Sequence, residues 1–239
     1  MKPWSIALSL VVIACGGDAF AAPRRIHVFV ALADNASQGI SPVPAKIGNG
    51  DDAEENLYWG NSEGFKSIFG RSKSWKLEKA ESSPTPEILD RRSYRHAAED
   101  CILVAEAWRG KNIHQCLESF FANLRDRRSD LTAFIGHNGL MDFPVAVSVL
   151  SPGAQSTDAI ILCCVSGNFF KPHLEALQAR PVLTTEQLMY PGAFLLRDAL
   201  EVWLHKGSRP DIRMAAARAY AANQKISVKT AAGVFSKLE

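Results

Sequence analysis

The pattern of apolar and polar positions is sharpest between Asp130 and Phe170, where two apolar runs each close on a glycine-containing turn. Leu131-Thr132-Ala133-Phe134-Ile135 leads into Gly136-His137-Asn138-Gly139, and Ala159-Ile160-Ile161-Leu162 leads into Cys163-Cys164-Val165-Ser166-Gly167. Short uninterrupted runs rich in β-branched residues predict strands buried on both faces of a parallel sheet. Arg25 to Ala33 predicts another central strand, ending at Asp34-Asn35. Ser74 to Glu81 alternates loosely and predicts a strand nearer the edge, and Pro181 to Thr185 a last strand. Cys101 to Trp108 fits strand or helix by period, with the Arg109-Gly110 stop favouring a strand; the basic stretch from Arg91 to Ala98 carries no assignable pattern.

Helical spacing takes over elsewhere. From Asn112 to Arg127 the residues Ile113, Cys116, Leu117, Phe120, Phe121 and Leu124 form one apolar stripe. Further helices are predicted over Asn168 to Arg180, Gly192 to Lys206, Asp211 to Gln224 and Val228 to Leu238, and an interrupted one over Asn56 to Arg71. Strands alternating with helices in this way predict an α/β fold, a three-layer sandwich with a mainly parallel central sheet. The stretch from Ser37 to Glu55 is rich in Gly, Pro, Asn and Asp and predicts a long loop, a feature usually functional or mobile. Its Asp51-Asp52 pair matches no calcium-loop spacing and reads as solvated turn residues.

The N-terminus changes the picture of location. Lys2 precedes an apolar run from Trp4 to Ala14, and Ala19-Phe20-Ala21 offers a small-x-small cleavage pattern, which predicts a signal peptide over residues 1–21. A second reading uses Val12-Ile13-Ala14-Cys15, which resembles a bacterial lipobox; cleavage after residue 14 would leave a lipidated Cys15. Both predict export to the periplasm or beyond, with one domain over 22–239, and membrane contact only through the anchor at Cys15. No later segment has the roughly 20 apolar residues that span a bilayer. The chain of 239 residues is 47% hydrophobic and 22% charged, enough for one substantial core. A net charge of +2 without a concentrated basic tract predicts no nucleic-acid partner.

Four cysteines remain after the leader: Cys101, Cys116, Cys163 and Cys164. In an oxidising compartment Cys101 and Cys116 form a candidate disulfide; two separate buried thiols are the alternative. No metal-ligand spacing is present, so neither a metal site nor a cofactor is expected.

Functional groups of open α/β sheets collect beyond the carboxyl ends of the strands. If the two central runs are neighbours, His137 and one of the paired cysteines meet there, and an imidazole beside a thiol suits nucleophilic catalysis. Side chains alternate along a strand, so only one cysteine faces His137, and Cys164 stands nearer the end that clears the sheet. As alternatives, both thiols are buried strand residues or a vicinal disulfide, and His137 is a turn histidine.

A strand ending in a His-Gly element followed by a strand ending in a small residue and Cys resembles the caspase-like superfamily of cysteine peptidases, which includes caspases, legumains, gingipains, clostripain and separases. The blocks GNGDD, NLYWG and GHNGLMDF are also similar to a group of uncharacterised bacterial proteins. The resemblance departs from the family where Asn138 stands between His137 and Gly139 and where Cys163 stands in place of the usual Ala. It implies Cys164 as nucleophile, His137 as general base and acid, and the N–H groups of Gly139 and Cys164 as an oxyanion hole. It also implies a peptide or protein substrate, a pocket lined by Asp34 and walled by Thr184 and Thr185, and no cofactor. An acid at Asp34 would favour Lys or Arg in the substrate; a solvated Asp-Asn turn is the alternative. Asp142, just after the histidine loop, either orients His137 or caps a turn. A non-catalytic binding or scaffold protein of the cell envelope, on the same fold, is the competing expectation.

Overall fold

A computed structural model describes residues 22–150 and 156–238; the expected leader and the candidate anchor at Cys15 lie outside them. The chain is α/β, built on a seven-stranded sheet of order β2-β3-β4-β1-β5-β6-β7. The strands are β1 (Arg24–Ala31), β2 (Trp75–Ser82), β3 (Ile88–His96), β4 (Cys101–Trp108), β5 (Leu131–Ile135), β6 (Asp158–Leu162) and β7 (Arg180–Leu183). The run from β4 through β1, β5 and β6 to β7 is parallel, whereas β2, β3 and β4 pair antiparallel. Every residue of β5 and β6 is buried, as uninterrupted apolar runs require.

Period-two alternation sorts the core into two clusters. Ile26, Val28 and Val30 of β1 point into one, with α1 (Phe65–Gly70), α4 (Ala193–Leu204), α5 (Arg209–Gln224) and α6 (Val228–Ala232). Phe29 and Ala31 point into the other, with α2 (Ile113–Arg125) and α3 (Ser166–Ala176). Helices thus cover both faces, an arrangement compatible with a three-layer sandwich.

This sorting rules out the candidate disulfide and gives its alternative, two separate buried thiols. Cys101 lies in the first cluster and Cys116 in the second, so the sheet stands between them, and all four described cysteines are free thiols. Burial pushes the Cys101 thiol up to about 12 and the Cys116 thiol well above its ordinary value. The vicinal pair is likewise unbridged.

Three elements differ from the pattern-based expectation. The unassigned basic stretch is β3, whose charges are paired with the neighbouring strands, Arg91 with Glu106 at 2.8 Å and Arg95 with Glu78 at 2.6 Å, and along the strand itself, Arg92 with Asp90 at 2.9 Å. From 56 to 64 the chain forms turns, because Gly60 and Gly64 lie where a Cβ would strike backbone atoms of Glu54 and Trp59; only Phe65–Gly70 is helical. The last helix stops at Ala232, after which Phe235 pairs with Thr185.

Candidate active site

The site forms at the carboxyl edge of β5 and β6. These strands are parallel and in register, with Ile135 opposite Leu162. His137 and Cys164 each lie two residues beyond that pair, so equal extensions of neighbouring strands carry them to one edge. A turn is needed to leave β5, and Gly136 provides it at φ +155°, where an added Cβ would lie 2.9 Å from Ala31 O. The Asn138 amide then bridges the two loops: its Nδ2 donates to Cys164 O at 2.6 Å and its Oδ1 accepts from Leu140 N at 3.2 Å.

His137 is buried, and its Nε2 lies 2.7 Å from Asp142 Oδ2. A carboxylate only accepts, so Nε2 carries the proton and Nδ1 of a neutral ring keeps its lone pair. Nδ1 has no hydrogen bond among the described residues. Asp142 itself is held from the long loop, its Oδ2 accepting from Gly39 N at 3.1 Å. Asp142 thus orients the imidazole and links it to the segment after β1.

The two cysteines, in the turn that follows β6, face different surroundings. Cys163 is buried against the second core cluster, and burial followed by the charge of Cys164 raises its thiol well above the ordinary value. Cys164 is half-buried. Its Sγ accepts from Met189 N at 3.5 Å and donates to Met189 O at 3.7 Å; no hydrogen bond joins it to His137. The next residue, Val165, adopts φ 51°, ψ 35° before α3 begins at Ser166. A β-branched residue in the left-handed region is a true outlier, and such strain clusters at functional sites.

A buried polar knot maintains this turn. Thr185 Oγ1 donates to Cys163 O and accepts from Ser166 N at 3.0 Å, while Ser166 Oγ donates to Ile161 O at 2.9 Å and accepts from Thr185 N at 3.0 Å. Thr184 is also buried, its hydroxyl donating to Ser236 at 2.7 Å. Thr185 therefore braces the cysteine loop, while Thr184 ties the end of β7 to the C-terminal segment at Ser236. Asp34 is engaged locally too: its carboxylate accepts from Ala36 N at 3.0 Å and Ser37 Oγ at 2.6 Å, and it packs where Gly50 and Gly110 leave room. Gly139 N donates to His137 O at 3.1 Å, so that N–H is committed within the turn, while the Cys164 N–H has no partner among the described residues. Asp51 pairs with Arg109 at 2.7 Å and Asp52 accepts from Glu54 N, as solvated turn residues do.

Sequence reading missed several residues. Asn56 is fully buried and exchanges hydrogen bonds with both N and O of Ala33, extending the β1 ladder with a side chain. Tyr58 lies close enough to feel Cys164 and Cys163; burial first, then those thiols, hold its phenol well above the ordinary range, so it remains a neutral hydroxyl. Leu188 and Met141, 72% and 46% exposed, flank the loops that carry Cys164's partner and His137. A buried asparagine has no sequence signature apart from its turn context.

Fold and site together define an α/β protein with a histidine–carboxylate pair and a cysteine at the carboxyl edge of adjacent parallel strands. Comparison with known protein families, with characterised proteins and with solved structures finds no match for this chain.

Proposed function

We propose that the chain is an exported caspase-like cysteine endopeptidase, with Cys164 as nucleophile and His137 as base. The observation that carries this reading is the in-register projection of His137 and Cys164 from β5 and β6, with Nε2 held by Asp142 and Nδ1 left unpaired. His137 Nδ1 takes the thiol proton; Sγ attacks the scissile carbonyl, forming a C–S bond as the C–N bond breaks. The proton passes to the departing amine, and water then hydrolyses the thioester. The Cys164 N–H supplies one donor to the developing oxyanion, and Gly139 supplies a second once its bond to His137 O opens. Because Sγ rests on the Met189 backbone, attack requires the thiol to swing from Met189 toward His137. Asp34 is committed to its own turn, so a preference for Lys or Arg draws no support from it; the exposed Leu188 and Met141 favour an apolar peptide segment beside the scissile bond.

The competing reading is a non-catalytic cell-envelope binding protein, and the Sγ–Met189 contacts are the observation that favours it. Iodoacetamide labelling at neutral pH, mapped by mass spectrometry, separates the two. A catalytic Cys164 is labelled well ahead of Cys101, Cys116 and Cys163, and His137→Ala slows that labelling on the order of tenfold, since an unassisted thiol is only a few per cent thiolate. Labelling of Cys164 that ignores His137 would leave the binding role.

A further inference from the structure

A cavity of about 1010 Å³ lies at the amino edge of the sheet, the end opposite His137 and Cys164. It is bounded by the residues that open β1, β5, β6 and β7, together with the start of α5. Seven basic side chains line it against two acidic ones. Several are neutralised: Arg180 grips Asp158 through two nitrogens, Arg24 pairs with Glu99, and Arg128 pairs with Asp126. Arg25, Arg127, Lys206 and Arg209 have no acidic partner among the described residues, and all but the half-buried Arg209 are exposed. Against these four cations the lining holds one carboxylate without an ion pair, Asp130, which accepts from Arg25 N at 2.6 Å, so the concavity keeps an excess of positive charge. The cations cost self-repulsion and await a negative partner.

The position of the N-terminus indicates which partner. The chain enters β1 at Arg24, on the rim of this cavity, nine residues after Cys15. Nine residues reach about 30 Å at full extension, so in the lipoprotein reading, with a lipid at Cys15, the bilayer lies close to this edge. We propose that the basic amino edge is a docking face for an anionic bilayer surface. Docked in this way, the parallel strands stand with their carboxyl ends away from the lipid, and His137 and Cys164 face outward to reach peptides in the surrounding space. The inference does not depend on whether Cys164 is catalytic.

The test is co-sedimentation of the full chain with phosphatidylcholine vesicles and with vesicles containing phosphatidylglycerol. The leader inserts into both, and the charge of its Lys2 is the same in every variant, so the change of the ratio on substitution isolates the charge of the docking face. Each basic residue near an anionic surface contributes roughly fivefold. We expect binding to the anionic vesicles to exceed binding to the neutral ones by at least about tenfold and to fall as salt is raised. Joint substitution of Arg25, Arg127, Lys206 and Arg209 by Gln should remove the preference while circular dichroism stays native. Should that variant not fold, the Arg25/Arg127 and Lys206/Arg209 pairs, changed separately, should each lose part of it. In chain processed to a lipidated Cys15, Cys15→Ser should reduce attachment to both vesicle types and leave the ratio intact, which keeps failure of the anchor distinct from failure of the docking face. Equal binding to both vesicle types, or a preference that survives the substitutions, overturns the proposal. So does thermal stabilisation by inorganic phosphate without a vesicle preference, which would make the cavity a site for a soluble anion.

Discussion

Asp142 is the residue whose role geometry decides, between the orienting group and the turn cap that its sequence position allowed. Its carboxylate receives His137 Nε2 at 2.7 Å and Gly39 N at 3.1 Å, so it fixes the ring's tautomer and ties the ring to the loop after β1. Asp142→Asn preserves shape but allows the side chain to present an NH2 where an acceptor is needed. In the peptidase reading, labelling of Cys164 should then fall nearly as far as in His137→Ala, while Asp142→Glu restores part of it. Indifference of Cys164 to both changes would reduce Asp142 to a loop clamp. The sequence showed that an acid follows the histidine loop; it could not show orientation, because the turn at Asn138 and the close approach of Gly39 depend on residues a hundred positions apart. Asp34 illustrates the converse. Its place at the end of β1 was legible, but whether a carboxylate faces a pocket or its own backbone depends on local hydrogen bonds, and here Ala36 N and Ser37 Oγ engage it.

Among the elements, the turn between β6 and α3 bears the most load. The left-handed Val165 carries strain on the order of 1–3 kcal/mol, which the knot of Thr185 and Ser166 must offset. Thr185→Val keeps the shape but removes the donor to Cys163 O and the acceptor for Ser166 N. Leaving those buried groups unpaired should cost about 1–3 kcal/mol in chemical denaturation and weaken the thiol's protection by Met189. A loss below a few tenths of a kcal/mol would show that the turn is held otherwise. At the far end of the molecule, Ser208 caps α5 in a reciprocal box with Asp211. Ser208→Ala should cost about 1 kcal/mol and leave Cys164 labelling unchanged, which separates global from local effects. The apolar strands β5 and β6 and the amphipathic α2 were legible because one period dominated each. The strand β3 was not, because its pattern is set by ion pairs with β2 and β4, partners that only the folded sheet supplies.

At the scale of the whole molecule, the parallel strands give the chain two distinct ends, a basic amino edge and a carboxyl edge with the histidine and cysteine. Strand order made that polarity predictable, whereas the clustering of Arg25, Arg127, Lys206 and Arg209 did not emerge from a near-neutral sequence in which they stand far apart. Where the antiparallel half of the sheet meets the parallel half, a charged network around β4 adds to the backbone pairing of β4 with β1. Glu106 of β4 reaches Arg91 of β3 at 2.8 Å and His27 of β1 at 3.4 Å, and also accepts from Trp108 Nε1 at 3.1 Å. Burial alone would push the Glu106 carboxyl up; His27 and then Arg91 outweigh that and hold it below the ordinary glutamate value. A carboxyl with a lower value folded than unfolded stabilises the fold above the unfolded value. That contribution is lost as pH falls from about 4.3 through the depressed folded value. Unfolding free energy should therefore decline below about pH 4.3 in the native chain. Glu106→Gln should be less stable by about 3 kcal/mol at neutral pH, because Arg91 is left without its partner, and its stability should vary less steeply in acid. Denaturant titrations of both chains at matched pH decide the point: identical acid slopes would mean that the two halves of the sheet are held together by packing, with the charges contributing little.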